Sequence, residues 1–207
     1  MRQALFANWS SLCNKYSSDN ECVIKQWNQI ESAYTAAGRF YHNLQHLENM
    51  LGHLPLLTHQ IDDADCIRFA TFYHDFIYHT GKKDNEAKSA EVAEEAMHQL
   101  GIPLEQIKRC RNHIIATASH QESADEDTSC FLDLDLVVLG ADWETYKRYA
   151  HNVRQEFKRY PDFIYKPGRR KVLRQFLEYE FIYKTQTFRE RFESQAKLNL
   201  KQELNSL

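Results

Sequence analysis

The sequence predicts an all-α protein, and three observations carry that expectation. Glycine and proline are scarce, with 6 Gly and 4 Pro in 207 residues, which suits long helices with short connections and not a turn-rich β fold. Apolar side chains recur at threes and fours along most of the chain, the spacing of one helical face. Hydrophobic residues make up 43% of the chain, enough to fill a core and too many for a disordered polymer. The length suits a single domain over residues 1–207. We expect core helices at about 42–140, with N-terminal helices at 4–36 and C-terminal helices at 142–204 packed on them. No internal repeat, low-complexity tract or linker composition divides the chain.

In chain order, Leu5, Phe6, Trp9, Leu12 and Cys13 form a first stripe, ended by Ser17-Ser18-Asp19-Asn20. Val23, Ile24, Trp27, Ile30 and Tyr34 form a second, broken at Gly38-Arg39. From about His42 to Leu57 the positions Leu44, Leu47, Met50, Leu51 and Leu54 mark a third helix. Asp62-Asp63-Ala64-Asp65 supplies N-caps for a helix running through His79, apolar on nearly every side and therefore central. A loop at 80–85 leads into a helix from Glu86 to Leu100 that Gly101 ends, and Pro103 opens the next, to Ser119. Gln121 to Thr128 reads as a loop. Phe131 to Leu139 fits a strand by periodicity alone but is expected to be helical among helical neighbours. Asp142 caps a helix to Tyr160 with Trp143, Tyr146, Tyr149, Val153 and Phe157 on its buried side. Pro161 and Pro167 bracket a connector, and Lys171 to Leu200 forms two helices meeting near Thr185.

A net charge of -3 offers no general attraction to nucleic acid or anionic lipid. The basic tract Lys166 to Lys171 suits a solvated loop as well as an anion site. The five cysteines are odd in number and form no C-x-x-C pair, which points to free thiols in a reducing compartment. Neither a signal-type apolar segment nor a membrane span is visible, so a soluble, cytoplasmic protein is expected.

The chemistry gathers around Ala70-Thr71-Phe72-Tyr73-His74-Asp75-Phe76-Ile77-Tyr78, where an imidazole and a carboxylate adjoin inside an apolar run. A buried, unpaired carboxylate is costly, so Asp75 requires a cation, a donor or a metal. Upstream, His42 and His46 stand four apart on the third helix, so both point into the same space from one face. Downstream, Asp133 and Asp135 again set carboxylates in apolar sequence. His46, His74, Asp75 and Asp135 thus offer two imidazoles and two carboxylates to a divalent ion. Such a set suits manganese, iron, zinc, nickel or cobalt, with magnesium less favoured by the nitrogens.

At these residues the sequence resembles the HD-domain superfamily of metal-dependent phosphohydrolases: a His, an adjacent His-Asp and a distant Asp on a helical scaffold. It is most similar to a bacterial branch of predicted phosphohydrolases with YHxxxH, HD-x-x-Y, DNE-x-x-SA and DxDLxxLG segments, here Tyr41–His46, His74–Tyr78, Asp84–Ala90 and Asp133–Gly140. The resemblance implies a metal site between central helices, with Asp135 preferred to Asp133 as the last ligand. It further implies hydrolysis of a nucleotide or other small phosphoester by metal-activated water. The YHN-x-x-H segment also resembles cyclic-nucleotide phosphodiesterases, and by position His42 becomes the general acid and His46 a ligand.

Other residues have weaker claims. Glu86 is a candidate base or holder of a metal-bound water, or simply an acid at a helix start. His120 stands where some superfamily members place extra ligands, against a helix-end role. Lys82, Lys83, Arg169 and Arg170 are candidate phosphate clamps whose default is solvated charge. Neither a membrane nor long nucleic acid is expected as a partner. The rival readings are a non-catalytic metal or nucleotide sensor and a structural protein whose His and Asp residues merely pack.

Overall fold

Helix α1 (Arg2–Cys13) buries Leu5, Trp9, Leu12 and Cys13, the stripe its sequence presents. Helix α2 (Asn20–Tyr34) starts at Asp19, whose side chain accepts from Cys22 N. The computed structural model describes residues 1–207, all in helices and connections, with no strand. Helix α4 (Ala64–Tyr73) is buried from Cys66 onward except at Arg68. Its Phe69, Phe72 and Tyr73 meet the Trp9 ring edge-on at centroid distances of 5.8, 5.2 and 5.9 Å, a favourable arrangement of aromatic quadrupoles. Helices α5 (Asn85–Gln99) and α6 (Leu104–Ala116) form a hairpin, and α4 packs on α6. Gly101, at φ +73°, closes α5: its N–H donates to His98 O and that of Ile102 to Met97 O, the paired bonds of a Schellman cap.

Helix α3 (Leu44–His53) and helix α7 (Glu126–Leu136) pack against each other and against α4. A 3₁₀ turn, Val137–Gly140, continues α7, followed by α8 (Trp143–Glu156) and α9 (Asp162–Glu178). A short α10 (Gln186–Phe188) runs through a π turn, Arg189–Glu193, into α11 (Ser194–Ser206). One continuous apolar cluster extends from Leu5 to Leu200, so both terminal regions share the core. No helix is long and apolar enough to cross a membrane, and all five cysteines are free thiols.

Several boundaries differ from those the sequence suggests. α4 stops at Tyr73 instead of reaching His79, because His74 Nδ1 turns back to Thr71 O (3.0 Å) while Arg39 draws off the carbonyls of Asp75 and Phe76 (2.7 and 2.9 Å). α3 begins at Leu44 with Asn43 as its cap, so His42 precedes the helix. α7 begins within the expected loop, since Asp125 caps Thr128 N. Residues 131–136 are helical as expected, and α8 ends at Glu156. α9 begins at Asp162 and carries Pro167 inside it; a proline in the second turn costs one backbone bond and does not break the helix. Thr185 does mark the start of the last helical stretch, as the cap of α10.

Candidate metal centre

Three helices deliver the central side chains. His46 lies in the first turn of α3, held by the buried Leu44 and Leu47 on either side. His74 is the C-cap of α4, Asp75 follows it, and Asp135 occupies the last turn of α7. The last turns of two helices therefore meet at the site, where the negative end of the helix dipole favours a cation.

The polar atoms converge. His46 Nε2 is 3.0 Å from His74 Nε2 and 3.1 Å from Asp135 Oδ1. His74 Nε2 is 3.1 Å from Asp75 Oδ2 and 3.6 Å from Asp135 Oδ1, and Asp75 Oδ2 lies 3.8 Å from His46 Nε2. Donors about 2.1 Å from one ion stand about 3.0 Å apart when adjacent in an octahedron and about 3.4 Å apart in a tetrahedron. The observed separations fit that scale. The ligand atoms of His46, His74 and Asp75 all lie within 4.8 Å of one another. Thr71 O accepts from His74 Nδ1, so whenever the ring is neutral its Nε2 lone pair is the one directed at the cluster, as a metal-bound imidazole requires. His46, His74 and Asp75 form the compact group and Asp135 stands against both imidazoles, an acceptor-rich set that a divalent cation would neutralise.

The same four groups also set one another's proton affinities. Burial pulls the His46 imidazole down despite Asp135 beside it. Burial also acts against a charged His74, yet the neighbouring Asp75 and Asp135 outweigh it and hold that ring well above the usual histidine range. Burial would raise Asp75, but His74 and His42 hold it below the usual carboxylate range. Asp135 is likewise held low, against burial, by His120, His46 and His74. The site thus stores negative charge and gathers positive partners.

A surrounding layer fixes these groups, and sequence reasoning missed its main members. Glu156, at the end of α8, accepts from the backbone N–H groups of Phe40, Tyr41 and His42 (2.9, 2.8 and 3.0 Å) through Oε1. Its Oε2 takes His42 Nδ1 at 2.7 Å and the Tyr78 hydroxyl at 2.9 Å. Arg39 Nη1 also donates to His42 O, so one guanidinium ties the segment before α3 to the segment after α4. One signal for Glu156 was available: Tyr146, Tyr149, Val153 and Glu156 share the spacing of a buried stripe, and a carboxylate on such a stripe needs partners. Arg39 had no comparable signal. A cleft of about 950 Å³ opens beside this layer, with Arg39, Tyr78 and Glu156 in its wall; the four metal-site candidates do not line it.

The remaining candidates separate. His42 and His46 do come together, with ring centroids 6.0 Å apart, although not by sharing a helical face. His120 joins the cluster: its Nε2 is 2.8 Å from Asp135 Oδ2, reached from a backbone at φ +51°, a strained conformation for a residue other than glycine. Asp133 turns away, accepting from Lys184 N, Thr185 N and Thr185 Oγ1 at 2.7, 2.8 and 2.7 Å. Glu86 makes no hydrogen bond or ion pair with the cluster. Its neighbours Asn85 and Ser89 instead brace the backbone of His79 and Ile77. Lys82 and Lys83 are exposed. Arg169 is no phosphate clamp, because its buried guanidinium is paired with Glu203 at 2.7 and 2.9 Å. Arg170 lies on a separate surface groove with Lys171 and Arg174. Compared with protein-family models, curated proteins and solved structures, the chain matches none.

Proposed function

We propose that this protein is a metal-dependent phosphohydrolase acting on a nucleotide or another small phosphoester. The convergence of His46, His74, Asp75 and Asp135 from three helices carries the reading, and the HD-type order of these residues in the sequence supports it. These four side chains would hold the ion. When bound, a divalent cation supplies Lewis acidity to a phosphoryl oxygen and lowers the pKa of a water. Asp75 is the carboxylate placed to orient that water and accept its proton. His42 stands at the edge of the cluster with Nδ1 engaged by Glu156. Burial disfavours its charged form, yet Asp75 and Glu156 hold the ring above its ordinary value, which favours the protonated ring that a general acid for the leaving oxygen requires.

The test is metal content followed by turnover. Purified protein, stripped and reloaded in turn with manganese, zinc, nickel and cobalt, is offered nucleotides and generic phosphomonoesters and phosphodiesters. Release of phosphate or alcohol by wild type, abolished in a folded Asp75→Ala variant, is the expected result. Metal or nucleotide binding without release would make the site a sensor instead, and failure to take up any of these metals would reject the proposal.

A further inference from the structure

Glu156 is an unusual carboxylate, since the three backbone N–H groups it accepts from lie 114 to 116 residues away in the sequence. Five hydrogen bonds enter it, three from consecutive backbone N–H groups and two from side chains, and its side chain has no solvent exposure. Docking the segment before α3 needs only the three backbone bonds to Oε1. The second oxygen is directed at the one imidazole beside the metal cluster that is not itself a candidate ligand.

We propose that Glu156 is a positioning residue that holds neutral His42 in the Nδ1–H tautomer, so that Nε2 is the nitrogen presented to substrate. The chemistry follows from the acceptor count. An ionised carboxylate only accepts hydrogen bonds, so a neutral ring at 2.7 Å from Oε2 must carry its proton on Nδ1. Tyr78 reinforces the arrangement: its hydroxyl donates to the same Oε2, and its ring lies over His42 with centroids 4.2 Å apart. This inference rests on the hydrolase reading for its catalytic meaning. There, water forms the new P–O bond and gives a proton to Asp75, the old P–O bond breaks with its electron pair on the leaving oxygen, and the imidazolium form of His42 delivers its Nε2 proton to that oxygen. The ring is left neutral with Nδ1–H still bonded to Glu156. In the other tautomer Nε2 would retain the proton, and the carboxylate would face a lone pair.

Glu156→Gln separates anchoring from tautomer control. The amide has one accepting atom, and three backbone donors compete for it, so the oxygen must face Phe40, Tyr41 and His42. The amide nitrogen, a donor, then faces His42 Nδ1 and drives the proton to Nε2. The measurement is ¹⁵N NMR of histidine-labelled protein at alkaline pH, where the ring is neutral, with His42→Gln assigning the signal. Wild type should show the Nδ1–H form and Glu156→Gln the Nε2–H form, at equal metal content. Tyr78→Phe, which removes one donor and leaves the anchoring intact, should retain Nδ1–H. In turnover, Glu156→Gln should lower kcat about 10²–10⁴-fold with KM little changed. A wild-type Nε2–H signal, or the same tautomer in wild type and Glu156→Gln, overturns the proposal. If Glu156→Gln does not fold, the wild-type and Tyr78→Phe spectra still decide it. Wild type that hydrolyses nothing but shows the expected tautomers would sink the hydrolase reading and leave the positioning role standing.

Discussion

The Nε2 atoms of His46 and His74 stand 3.0 Å apart, a distance two rings hold only with a proton or an ion shared between them. Asp75 and Asp135 lie alongside, and the ion proposed above would satisfy these groups together. Metal should therefore stabilise the fold. Adding it to chelator-treated protein at about 100 times Kd should contribute about 2.7 kcal/mol and raise Tm by roughly 5–10 °C. His46→Ala and Asp135→Ala should lose that shift; melting curves in which they keep it would remove the shared-ion interpretation.

Asp133 and Asp135 predict opposite losses. Burial pushes the Asp133 carboxyl up to about 6 against the bonds it accepts from Lys184 and Thr185, and those bonds join α7 to the start of the last helical stretch. Asp133→Ala should cost roughly 2–4 kcal/mol of stability by leaving buried donors unpaired, with metal uptake retained. Asp135→Ala should lose metal at a smaller cost to the metal-free fold. Denaturant melts paired with elemental analysis distinguish them, and equal metal loss in both would contradict the assignment.

The His42–Glu156 pair should stabilise the metal-free fold within a limited pH window. Burial acts against both charged forms. Asp75 and Glu156 nevertheless raise His42, and His42 with the backbone bonds lowers Glu156. A raised histidine contributes stability that is complete below its unfolded value, about 6.5, and lost as pH rises through the folded one. A lowered glutamate contributes stability that is complete above about 4.3 and lost as pH falls through its folded value. The stability difference between wild type and His42→Gln should thus peak between about pH 4.3 and 6.5 and shrink on either side. Urea titrations across pH check this; a difference that keeps growing on the alkaline side would rule it out.

Gly140, at the end of the turn after α7, lies under the π turn. A Cβ there would come within 2.6 Å of Phe192 Cβ and 2.8 Å of Phe192 O. Because a backbone atom is in the way, the neighbour cannot simply rotate aside, and Gly140→Ala should destabilise by about 1–3 kcal/mol. Thermal unfolding of the metal-free variant measures it, and an unchanged Tm would show that the two turns are not closely packed.

Much of this molecule is legible in its sequence because helical periodicity is local. The stripes of α1 and α2, the caps Asp63 and Asp142, and the stop at Gly101 all depend on residues a few positions apart. So does the embedding of His74 and Asp75 in apolar sequence, which already requires a partner for the acid. Tertiary structure alone decided how these pieces meet. Asp133 and Asp135, two apart, face about 200° from each other on a helix, and which one meets the imidazoles depends on how α7 docks. His42 reaches the cluster through the Glu156 and Arg39 contacts and not through helical phase, and Arg169 is withdrawn by Glu203, 34 positions away. Periodicity states which side of a helix is buried, whereas the angle and register of packing determine what it is buried against.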